Sequence, residues 1–270
     1  MPASRPRRRR SFLAPALWIP AGLALGLLAL PLVALVIRAP WAQLPALLAQ
    51  PTVASALGLS LLTAVESTLI SLVLGIPLAL VLARSAAWGA VPRRLLRALV
   101  TVPLVLPPVV GGVALLLLLG RRGMVGQFLP FQIPFSTAAV VIAQTFVAMP
   151  FLVLAVEGAV RASDRRFEVA AATLGASRWT IFRRVTLPLV APGVSAGALL
   201  CFCRALGEFG ATITFAGSFP GTTQTLPIAT YLQLQGTNPE SAYALSLVLM
   251  LVSIAVLVSL RDRWVPGLAS

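Results

Sequence analysis

The chain has 270 residues, of which 59% are hydrophobic and only 10% charged, with a mean hydropathy of +0.96. Soluble domains are typically about 25% charged, so this composition excludes a water-facing globular enzyme and indicates an integral membrane protein. All 21 basic residues are Arg, and the lack of Lys and His removes lysine phosphate loops, Schiff-base chemistry, histidine bases and histidine metal sites. The formal charge of +14 does not point to nucleic acid, because the arginines fall in short blocks between apolar segments and not on one soluble face.

A helix needs about 20 apolar residues to cross the hydrocarbon, and six segments qualify: 14–37, 57–83, 95–119, 137–160, 190–216 and 241–260. The predicted fold class is all-α integral membrane, with about six transmembrane helices. A basic tail, 1–13, precedes the first span. Its Arg5 and Arg7 to Arg10 would also suit the n-region of a signal peptide, but the apolar run that follows is longer than an h-region and lacks a small-x-small cleavage site. The membrane core occupies 57–260, and a short tail, 261–270, ends the chain.

Short cytoplasmic loops retain arginine. Assigning alternate loops to alternate sides places seventeen arginines on one side and only Arg38, Arg121 and Arg122 on the other. Both termini are therefore expected in the cytoplasm. Pro77, Pro150 and the cluster Pro103, Pro107, Pro108, Gly111 and Gly112 suit either simple kinks or a pathway built from broken helices. Gly22 with Gly26, and Gly193 with Gly197, have the spacing of close helix packing. Cys201 and Cys203 read as buried thiols, since residues one apart on a helix cannot form an ordinary bridge.

The expected outer segment, 217–240, has no basic residue and suits a re-entrant or docking segment as well as a solvated connection. Between the fourth and fifth spans lies a different kind of loop, 164–188, reading DRRFEVAAATLGASRWTIFRRVTLP. Helix-forming residues run to Leu174, Gly175 interrupts, and Trp179, Ile181, Phe182 and Val185 then alternate with arginines. This is a helix–turn–helix at the membrane surface, suited to anionic lipid or to a protein partner.

Ala170-Ala171, Gly175, Val185 and Leu187-Pro188 resemble the EAA loop of ABC importer permeases at matching spacing. The family glutamate is replaced by Val169, with Glu168 one residue earlier. In this resemblance Glu168, Ala170, Ala171, Gly175, Leu187 and Pro188 belong to a cytoplasmic coupling helix that seats on a separate ATPase, with Pro188 restarting the chain into span five.

Arg204 and Glu208 lie four residues apart in span five and share a helical face. Charges at such depth mark functional candidates, and the pair suits either helix packing or anion passage. The run Arg204 to Gly210 is similar to both molybdate and sulfate/thiosulfate permeases. Phe215-Ala216-Gly217 and Thr223-Gln224-Thr225-Leu226-Pro227 tilt the resemblance to molybdate permeases, so Thr223, Gln224 and Thr225 are the candidate substrate-branch motif.

The resemblance implies an ATP-driven importer of molybdate or tungstate, and not an enzyme. It implies a homodimer of this chain in a bacterial-type cytoplasmic membrane, two ATP-binding subunits and an extracytoplasmic molybdate-binding protein. No cofactor is expected in this chain; ATP with magnesium would belong to the partner ATPase. The alternatives are a sulfate/thiosulfate permease and an ATP-independent anion transporter.

Overall fold

A computed structural model of the chain describes residues 17–85, 88–236 and 239–259. The basic tail with Arg5 and Arg7 to Arg10, residues 14–16 of the first expected span, residue 260, and Arg261 and Arg263 in the final tail lie outside the described residues. Among the described residues there are helices and turns and no strand. In chain order the helices are α1 (Trp18–Arg38), α2 (Leu44–Leu48), α3 (Pro51–Arg84), α4 (Ala90–Val105), α5 (Pro108–Leu119), α6 (Thr137–Ala162), α7 (Arg166–Thr173), α8 (Arg178–Ile181), α9 (Leu187–Leu206), α10 (Gly210–Ala216), α11 (Leu226–Gln235) and α12 (Pro239–Ser259).

Four stretches are each long and apolar enough to cross a membrane: α1, α3, α6, and Arg178–Leu206, which runs through α8 and α9. The α4 and α5 pair is long and apolar enough only when the two are taken together across their bend, and α12 is a shorter apolar helix over Glu240–Val256. The all-α membrane fold read from the sequence is therefore the observed one.

Helix α6 is the centre of the bundle and packs against both α3 and α9. Helix α3 buries two rows of small residues, Ala56, Ser60, Ala64 and Thr68, then Ser67, Ser71, Gly75 and Ala79. Spacing of four stacks each row on one face, and in lipid such faces associate by close backbone approach. Among their hydroxyls, Thr68 donates to the Ala64 carbonyl at 2.7 Å, and Ser67 accepts from the Thr145 hydroxyl of α6 at 3.2 Å.

The two glycine pairs differ. Gly193 and Gly197 lie against Ala159 and Ala155 of α6: a Cβ at Gly193 would collide with the Ala159 methyl, and one at Gly197 would sit 3.0 Å from the Ala155 Cβ. Gly22 faces open space and Gly26 meets only its own helix.

Two expected spans are broken. The segment 95–119 bends by 116° between α4 and α5. Leu106 and Pro107 are extended there, because proline lacks a donor and excludes helical geometry from the residue before it. The segment 190–216 breaks at Gly207-Glu208-Phe209. The two breaks meet: a Cβ at Gly112 would lie 2.7 Å from the Thr214 Cβ, and one at Gly210 would lie 3.0 Å from the Pro108 Cβ.

The segment 217–240 is more than a solvated connection. It contains α11, which buries Leu226 and Ile228 and packs on α12 and α3. The loop 164–188 and Arg84, Arg97 and Arg161 gather at one end of the bundle. The start of α6 and the 217–225 turn meet at the other, where the Thr137 hydroxyl donates to the Thr222 carbonyl at 2.9 Å.

Candidate functional site

The 164–188 loop is built from local signals. The Asp164 carboxylate accepts the Arg166 N–H at 2.9 Å and opens α7. The helix ends in a left-handed cap: Gly175, at φ +80, donates to the Ala172 carbonyl, and Ala176 donates to the Ala171 carbonyl. A Cβ at Gly175 would meet nothing within 4 Å, so glycine is required by backbone angle and not by space. Ser177 then accepts the Thr180 N–H at 3.2 Å and opens α8.

Pro188 does not restart the chain as expected. Helix α8 continues through a π-helical turn at Phe182–Thr186 directly into α9, with the Leu187 N–H bonded to the Phe182 carbonyl. Pro188 has no N–H to offer the Arg184 carbonyl, and the widened turn accommodates that loss.

Ala170, Gly175 and Pro188 are exposed, while Ala171 and Leu187 are half-buried. Around them Phe167, Val169 and Trp179 are exposed, and Leu174 reaches 88% exposure. This is a small-residue helix flanked by uncovered apolar side chains, the composition of a docking surface.

Glu168 faces the bundle. Its carboxylate accepts from Arg84, at the end of α3, at 3.2 and 3.3 Å, and from the buried Thr186 hydroxyl at 2.6 Å. Arg84 and Thr186 escaped sequence reasoning as partners. Arg84 was legible only as an orientation charge, and Thr186 fills the unspecified place between Val185 and Leu187. Nearby, the buried Glu157 takes both Arg97 and Arg161, joining α4 to α6.

Arg204 and Glu208 do pair, at 2.6 Å, with the Glu208 side chain 1% exposed. They do not share an unbroken helix. Glu208 lies in the break and accepts the Ala211 N–H at 2.8 Å, at the start of α10. A carboxylate there suits the free donors of a helix start, and Arg204 suits the carbonyl end of α9. Together these contacts link the end of α9 to the start of α10 across the break.

Thr223, Gln224 and Thr225 form a compact turn. The Phe219 carbonyl accepts from the N–H groups of Thr222, Thr223 and Gln224 at 3.1, 2.9 and 3.0 Å, and the Thr223 hydroxyl accepts the Phe219 N–H at 2.9 Å. Thr223 and Thr225 are buried and Gln224 is half-buried. The next residue, Leu226, donates its N–H to Ser60 of α3 at 2.7 Å and fixes the turn to the bundle.

A family model described as binding-protein-dependent transport system inner membrane component matches residues 75–267. Over 249 residues the chain is 51% identical to the molybdenum transport system permease protein ModB of Mycobacterium tuberculosis, covering 91% of this chain and 93% of that protein. The sulfate transport system permease protein CysT of Escherichia coli is 33% identical over 241 residues, 87% of this chain and 86% of that protein. Among solved structures, a bacterial alginate ABC transporter in complex with an alginate pentasaccharide-bound periplasmic protein matches with a TM-score of 0.74 at 17% identity, over 94% of this chain and 95% of that one. That likeness concerns the fold alone. The match over residues 75–267 and the high identity to a permease of near-equal length mean that the chain belongs to the family of binding-protein-dependent transport system inner membrane components.

Proposed function

We propose that this chain is the membrane-spanning permease subunit of an ATP-driven importer that carries molybdate, and its near-isostere tungstate, across the cytoplasmic membrane. The observation that carries this reading is the 51% identity to a molybdenum permease, against 33% to a sulfate permease over a similar share of the chain. No covalent chemistry falls to this chain. Its work is to alternate the exposure of a path through the bundle, driven by a separate ATPase that binds ATP with magnesium.

Two copies of the chain form the pathway, bound inside to two ATPase subunits and outside to a molybdate-binding protein. Helix α7, with the exposed Ala170 and the half-buried Ala171, seats on the ATPase together with the exposed Gly175 turn that follows it. The concentration of arginine at the end of the bundle that carries this loop supports its placement in the cytoplasm, with both termini on that side. Anionic headgroups of the inner leaflet suit the same arginines.

Selectivity rests mainly with the binding protein. Within the membrane the dianion meets hydroxyls, amides and helix ends in place of a tight site. The test is uptake into proteoliposomes that contain this chain, its ATPase and its binding protein, with molybdate, tungstate and sulfate supplied in parallel. ATP-dependent uptake of molybdate and tungstate supports the reading. Preference for sulfate keeps the mechanism and overturns the substrate, and uptake by this chain alone overturns the mechanism.

A further inference from the structure

The contacts of Glu168 point to a specific device, and we propose that Arg84, Glu168 and Thr186 form a clamp that transmits movement of α7 to α3 and α9. The proposal rests on the reading of α7 as the ATPase-facing helix. Arg84 and Thr186 are positioning residues in it and act through Glu168.

Helix α7 has no buried residue. It packs on α8 and on the π-helical turn, and cavities of about 310 and 360 Å³, both lined by Arg84, Arg165 and Glu168, open around its base. Apolar packing therefore does little to fix α7 against the membrane helices. Glu168 supplies what packing does not: one carboxylate reaches the last residue of α3 and, at 2.6 Å, the last residue of the π-helical turn that leads into α9.

The two partners differ in kind. Arg84 is 55% exposed, and an exposed ion pair adds little to folding stability. Thr186 is 1% exposed, so its hydroxyl is a fixed donor whose loss leaves a carboxylate less well held. The arrangement suits direction more than stability. A push on α7 moves Glu168, and Glu168 carries α3 and α9 with it. Covering the loop by an ATPase would lower the local dielectric and strengthen both contacts when force is applied.

The test uses the complete importer in proteoliposomes and reads oxyanion imported per ATP hydrolysed. Arg84→Gln and Glu168→Gln are each expected to lower this ratio by about fivefold, and the double variant to lose no more than either one, as for residues that act as a unit. Thr186→Val is expected to lower the ratio, and Thr186→Ser to restore it. Losses that multiply in the double variant would overturn the clamp. So would an Arg84→Gln ratio equal to that of the unaltered chain beside a large loss in Glu168→Gln, which would assign Glu168 to the ATPase alone.

Failure of the functional reading is separable. An unaltered complex that moves another oxyanion leaves the ratio measurable with that ion. One that moves none overturns the transport reading, and hydrogen exchange of the α7 amides in the purified chain then reads the clamp. Arg84→Gln and Glu168→Gln should each speed exchange in α7, and exchange unchanged in both variants would overturn the clamp there as well.

Discussion

Arg204 and Glu208 meet at 2.6 Å across the end of α9, and the same carboxylate holds the Ala211 N–H that begins α10. One side chain thus completes two helix ends at the place where the span breaks. Removing one member of a buried pair leaves an uncompensated charge at a cost of about 3–5 kcal/mol. Arg204→Gln and Glu208→Gln should each lower the melting temperature of the purified chain, with the double variant no worse than the worse single. An exchange of the two charges should not restore stability, because Arg at 208 cannot accept from Ala211. Recovery in the exchanged variant would contradict the capping role.

The contact of Gly193 with Ala159 makes a second prediction. Overpacking a close interface costs about 1–3 kcal/mol, so Gly193→Val should destabilise the bundle measurably in thermal unfolding. Gly22→Val, on a helix with no buried residue, should not shift the transition. Equal shifts would mean that α6 and α9 do not meet through this glycine.

At Gly175 the conflict is with the backbone. A left-handed angle costs an L-residue about 1–2 kcal/mol, and asparagine tolerates it better than β-branched residues. Gly175→Asn should keep more ATP-dependent uptake than Gly175→Val, though the space at φ +80 is open to both. Equal uptake in the two variants would show that the turn is not required for transport.

Thr223 is predicted to act through its hydroxyl on the Phe219 N–H. Phe219 is itself exposed and the bond only part-buried, so losing it costs about 0.5–1.5 kcal/mol. Thr223→Val should therefore lower the melting temperature and Thr223→Ser should not, as read by thermal unfolding of the detergent-solubilised chain. A stable Thr223→Val that loses uptake would instead assign Thr223 to the substrate path.

The apolar spans and the 164–188 loop are legible in the sequence because each is written in a contiguous run. Hydropathy over 95–119 and 190–216 measures how apolar a segment is and not its direction, so it spans both breaks without registering them. The prolines at 107 and 108 carried the first break; the second is held by Glu208, whose capping partner lies only three residues on but whose burial depends on packing. Helix α11 was hidden because its buried face is only Leu226 and Ile228. The bond between Arg84 and Glu168 joins residues 84 apart, and no local pattern encodes it. The Gly193 and Gly22 pairs have the same spacing and differ only in what faces them.

The most direct test of the account is the ATP dependence of molybdate entry into proteoliposomes that contain this chain, its ATPase and its binding protein. Molybdate should accumulate with ATP and magnesium, tungstate should compete, and no uptake should occur without ATP or when the ATPase subunit is omitted. Molybdate entry that continues without the ATPase would contradict it.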